Sequence, residues 1–171
     1  MCIRDSPIPA ERLDRETMIR LTSEYAEPVE PDRSMPFSHN WTNMVLQAFA
    51  AHPVYRNSPE AIAAASLLKS RFFKPDLYSS YRDAGYWVRF VHWWPNLLMA
   101  LDSLSLMGFS RDDPDIAGGL AWFTDNQRED GLWDVSYKKG DKGAGGKKHA
   151  EERLWVSLTI CRVFKRFHRE S

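Results

Sequence analysis

An aromatic-led pattern recurs along this chain. Trp41-Thr42-Asn43-Met44-Val45 returns as Trp94-Pro95-Asn96-Leu97-Leu98, 53 residues on, and Ser58-Pro59-Glu60 returns as Asp113-Pro114-Asp115, 55 residues on. A third copy starts at Trp155-Val156-Ser157-Leu158, 61 residues after Trp94, with the added length in a Gly/Lys stretch. The linking segment repeats too: Gly85-Tyr86-Trp87 stands before Trp94, and Gly131-Leu132-Trp133 before Trp155. Self-similarity on the order of 20 to 50 residues marks units that cannot bury their apolar faces alone and must stack on one another.

Local signals make the units helical. Ser38 can cap a helix to Ala51 with a stripe of Trp41, Val45, Leu46 and Phe49, and His52-Pro53 stops it. Ser58, Pro59 and Glu60 supply a cap, a first-turn proline and a first-turn acid for a helix to about Phe73. Trp94-Pro95 opens a helix to about Met107 that Gly108 closes, and Asp113-Pro114 starts one to about Gln127. The expected hairpins therefore cover about 37–73 and 94–127, and a last helix covers about 150–167. Upstream, Leu13, Met18, Leu21 and Tyr25 give helical spacing within 7–36, ended by Pro28 and Pro31. The ring-rich segment 74–92 reads as an irregular connector, with a short strand at 86–91 as the alternative. Residues 1–6, Met-Cys-Ile-Arg-Asp-Ser, look like a translated sequencing-adapter scar of the metagenomic kind and are set aside, so the natural chain is expected to start further upstream.

Composition narrows the function. Twenty-three basic and 23 acidic residues cancel, so no global field favours nucleic acid, and any polyanion site would be local. Two cysteines build no disulfide framework and form no zinc-ligand pairs; a reducing, cytoplasmic setting is expected, with no metal or cofactor. Asp102 and several serines break the greasiest stretch, so no transmembrane helix is expected, though contact with a membrane surface stays open.

The run from Gly118 to Trp133, with Trp122-Phe123, Gln127, Gly131 and Trp133 in sequence, resembles the QW repeat of squalene and hopene cyclases, without the basic residue that usually opens it; an earlier copy has Phe72 near the place of the Gln. The resemblance covers about 37–167. It implies an all-α chain of helical hairpins forming part of an α/α toroid, like terpenoid cyclases and protein prenyltransferases. Gln127 would bond toward a neighbouring helix end, with the Trp133 ring stacked over it. Such toroids close with more hairpins than this chain supplies, so the resemblance implies a C-terminal fragment whose partners are the missing N-terminal part of the toroid and an apolar or isoprenoid small molecule. Alternatives are a non-catalytic toroid that serves as a binding or scaffold module, and a carbohydrate-active α/α barrel, for which no convincing carboxylate pair is visible.

Several residues invite chemistry. Asp102, within Leu97-Leu98-Met99-Ala100-Leu101-Asp102, is the candidate catalytic acid, because a carboxyl in a closed apolar cavity has a raised pKa; a salt bridge to an Arg is the competing role. Trp41, Trp94 and Trp155, heading the expected inner helices, are candidate cavity aromatics able to hold cations over their rings, whereas Trp122 and Trp133 read as structural. Asp112, Asp113 and Asp115 are out of order for a cyclase Asp-x-Asp-Asp motif and suit helix capping. The basic stretch 138–149 lacks a phosphate-loop ending and reads as a solvated loop, with a diphosphate or anionic membrane as the functional alternative.

Overall fold

The computed structural model describes residues 38–76, 83–91, 95–141 and 146–168. By contacts the chain divides into Met1–Phe37 and Ser38–Ser171. The first unit, with the expected 7–36 helix and the six-residue scar, lies outside the described residues, as does Trp94.

Among the described residues the chain is all-α: helices α1 His39–Ala51, α2 Pro59–Lys69, α3 Leu97–Leu106, α4 Pro114–Asp125 and α5 Lys147–Phe167, with 3-10 turns at Tyr55–Asn57 and Ala84–Val88 and no strand. The caps explain the starts. Ser38 Oγ accepts from Trp41 N, Ser58 Oγ from Ala61 N at 3.2 Å, and Asp113 Oδ1 from Asp115 N at 3.1 Å and Ile116 N at 3.4 Å. Each satisfies amides that the first helical turn leaves without a carbonyl. Pro59 and Pro114 then occupy first-turn positions where no N–H is missed.

Three boundaries differ from expectation. α3 begins three residues after Trp94, because the Asn96 side chain accepts from Met99 N at 3.1 Å and makes Asn96, not Trp94-Pro95, the cap. α2 stops at Lys69 and the chain turns through Phe73, a non-glycine residue at φ 59. α5 starts at Lys147, so Trp155 lies in its third turn and heads nothing, and Lys147, Lys148 and His149 are helical rather than loop. Gly146, at φ 100, makes the bend that admits this early start.

α3 is the hub: it packs against α1, α2, α4 and α5. The sequence explains the position, since its apolar residues are not confined to one stripe, and Leu97, Leu101 and Leu104 lose all solvent exposure. Each such leucine contributes about 2 kcal/mol through removal of its surface from water. The α3–α4 approach is close, since a Cβ on Gly119 would meet Leu101 Cδ1 at 3.2 Å. α1 with α2 and α3 with α4 form successive helical hairpins, and α5 lies against α3.

The two Gly-x-Trp connectors lie side by side. Phe90 N donates to Val135 O at 2.7 Å and Tyr137 N to Val88 O at 2.9 Å, with an antiparallel bridge between Arg89 and Ser136. The strand considered for 86–91 is thus reduced to this bridge, because residues 84–88 coil into a 3-10 turn started by the Asp83 side chain on Gly85 N. The two tryptophans donate to different kinds of carbonyl: Trp133 Nε1 to Phe123 O at 2.7 Å, in the last turn of α4, and Trp87 Nε1 to Lys74 O at 2.9 Å, in the turn that follows α2.

Candidate functional site

A groove of about 150 Å³ opens beside α3 where α1 and α5 approach it. Its apolar wall comes from Phe90 and Val91 of the connector, Leu98 and Met99 of α3, and Trp155 and Val156 of α5. Gln47 of α1, Asn96, Asp102 and Thr159 supply polar atoms. The helical repeat creates the arrangement. Val156, Ile160, Val163 and Phe167 bury one side of α5, which turns Trp155 and Thr159 toward the groove edge. Beneath it, Phe90 lies edge-on to Trp122 at 5.9 Å and tilted against Phe123 at 5.4 Å, and Tyr137 meets Trp122 at 5.1 Å. Edge-to-face and tilted rings of this kind anchor Phe90 against the core.

Asp102 is in this groove, and it has a partner. Arg166 Nη1 donates to Asp102 Oδ1 at 2.5 Å and to Ser105 Oγ at 3.0 Å. The side chain is also one-third exposed, 33%. Asp102 thus lies at the groove with the arginine that the salt-bridge role required.

The three candidate cavity tryptophans are not brought together. Trp155 lines the groove and keeps 55% of its surface exposed; Trp41, at 45%, is absent from the lining, and Trp94 is outside the described residues. Gln127 departs from the role the resemblance implies: its Nε2 donates to Gly131 O at 2.8 Å, closing its own turn instead of reaching another helix. The same turn is closed along its backbone, since Arg128 N donates to Leu132 O at 2.9 Å and Gly131 takes φ 78, which favours glycine. Trp133 is buried, and its backbone N–H donates to Ser157 Oγ of α5 at 3.0 Å, so the motif ties α4 to α5. Asp113 and Asp115 share Lys69 Nζ, at 2.9 and 3.1 Å, joining the α4 start to the α2 end. Among the described residues no three His, Cys, Asp or Glu side chains gather as metal ligands, and Cys161 is exposed.

One polar cluster escaped sequence reasoning. Asp76, 2% exposed, accepts from Ser38 Oγ at 2.8 Å and from Asn40 Nδ2 at 2.9 Å and Asn40 N at 3.3 Å, and His39 Nε2 lies 3.9 Å away. A carboxylate at the amide end of α1 is favoured by the helix dipole. His39 stacks on Trp87 with centroids 4.6 Å apart, and its Nδ1 is buried with no hydrogen-bond partner. Burial lowers the His39 pKa to about 4, against the opposing pull of Asp76, with Arg71 adding to the lowering. The signal available was the polar triplet Ser38-His39-Asn40 at a helix start, of which only Ser38 was assigned a role; Asp76 follows Pro75 with no pattern linking it to residues 36 to 38 positions earlier. No protein-family model matches this chain, and neither a curated protein nor a solved structure matches it significantly.

Proposed function

We propose that this chain is the C-terminal part of an α/α toroid of the squalene-cyclase and prenyltransferase-like kind, and that the groove beside α3 binds an apolar small molecule of the isoprenoid class without turning it over. One observation carries the reading: apolar side chains from the connector, α3 and α5 converge on one space, while Asp102, its ionisable lining residue, is held by Arg166. Two further features support it. Each connector tryptophan donates its indole N–H to a carbonyl of the segment before it, in the last turn of α4 or in the turn after α2, as stacked repeat units would. At about 150 Å³ the groove is smaller than the roughly 300 to 1,000 Å³ of complete ligand pockets, which suits one section of a larger cavity wall.

The test is calorimetric titration of farnesol and of cellobiose into the wild-type chain and Trp155→Ala. Farnesol should bind, and the exposed Trp155 can be truncated without unfolding the chain, weakening binding about tenfold, the equivalent of about 1.4 kcal/mol of lost ring contact. No farnesol binding, or equal binding by both proteins, would sink the proposal; cellobiose binding in its place would favour a carbohydrate-active barrel.

A further inference from the structure

Resting on that assignment of the groove, we infer that its ligand is an uncharged isoprenoid-type alcohol whose hydroxyl donates to Asp102, and not the corresponding diphosphate. The charge of the lining decides the headgroup. Among the described lining residues Asp102 is the one side chain of a charged type, and it is an acid. Arg166, whose Nη1 serves Asp102 Oδ1 and Ser105 Oγ, is not itself a lining residue. A diphosphate would find no lysine or arginine among the described lining residues to neutralise it. A cationic headgroup gains little either, because the Asp102–Arg166 pair has no net charge.

Hydrogen-bond capacity then sets the polarity of the ligand's end. Arg166 engages Oδ1 alone, and the partly exposed carboxylate keeps acceptor sites on Oδ2. Thr159 Oγ1 spends its proton on Trp155 O at 2.9 Å, which leaves lone pairs. A carboxylate acceptor in the lining of a largely apolar groove calls for a ligand with an apolar body and one neutral donor, and a hydroxyl is the simplest such group.

Calorimetry on the wild-type chain with farnesol, farnesyl methyl ether, farnesylamine and farnesyl diphosphate separates the possibilities. Farnesol should bind at least tenfold more tightly than each of the other three, as expected for one hydrogen bond to a charged acceptor. Asp102→Ala should abolish the advantage of farnesol over its methyl ether. Because that variant frees Arg166, Thr159→Val provides a second test that leaves the ion pair in place and should leave the same advantage intact, since the single hydroxyl proton goes to Asp102; loss of the advantage in Thr159→Val would overturn that assignment. Ether or diphosphate binding as tight as farnesol, or amine binding tighter, would overturn the hydroxyl assignment while leaving the groove as an isoprenoid site; failure of all four to bind would remove both.

Discussion

Acidification should destabilise this protein through His39 before its carboxylates titrate. The buried imidazole has its pKa lowered to about 4 from the ordinary 6.5, first because burial disfavours the charged ring. The unfolded chain therefore takes up a proton near pH 6.5 that the folded chain refuses. Above that pH the group has no effect; stability falls as the pH drops from about 6.5, and the loss is complete near pH 4. Between about pH 7.5 and about pH 5 the two pKa values imply a loss of about 2 kcal/mol, rising to about 3 kcal/mol below the folded value. Phenylalanine keeps a ring against Trp87 and cannot titrate, so His39→Phe isolates the effect. Urea unfolding followed by circular dichroism should show the wild-type midpoint falling by about 1 M more than the variant's between those pH values, taking an m-value of about 2 kcal/mol/M. Parallel losses in the two proteins would refute the assignment of a neutral buried His39.

Two adjacent glycines of α4 should respond in opposite directions. Gly118→Ala places its methyl in open space and should stabilise by about 1 kcal/mol through helix propensity, whereas at Gly119 the same methyl meets Leu101 at 3.2 Å and Leu97 at 3.4 Å, and overpacking should cancel or reverse that gain. Thermal melts of both variants check this, and equal stabilisation would contradict the close α3–α4 packing. Trp133→Phe should cost about 1 kcal/mol in urea unfolding, because Phe123 O loses the shorter of its two hydrogen bonds in a buried setting, keeping the Asn126 N–H at 3.3 Å. Trp87→Phe should cost less, since Lys74 is exposed and water can replace the indole there; the reverse order would contradict this difference in exposure.

Much of the helical content was legible because it is local. Ser58-Pro59 and Asp113-Pro114 announce helix starts through groups within one turn, and both helices begin there. Asn96 shows how a local rule can mislead by a few residues: Trp94-Pro95 looked like the opening, but an amide side chain one residue later competes better for the Met99 N–H. The connector was harder, since neither 3-10 turn nor bridge has a strong periodicity, and its shape depends on the second connector 46 residues away, from Gly85 to Gly131. The site was half legible. Asp102 stood out as a charge in an apolar run, and Trp155 through the repeat, yet the Arg166 that pairs with Asp102 comes from α5, 64 residues later.

By itself the sequence determined an all-helical chain with apolar repeats, caps and breaks, because propensity, capping and periodicity act over one or two turns of backbone. Tertiary structure alone decided which polar groups face one another: Asp76 at the start of α1, Arg166 at Asp102, and Trp155 at the groove with Trp41 outside its lining. The physical reason is range. A hydrogen bond or ion pair is satisfied by whatever group the packed helices bring within about 3 Å, and sequence separation has no bearing on that distance.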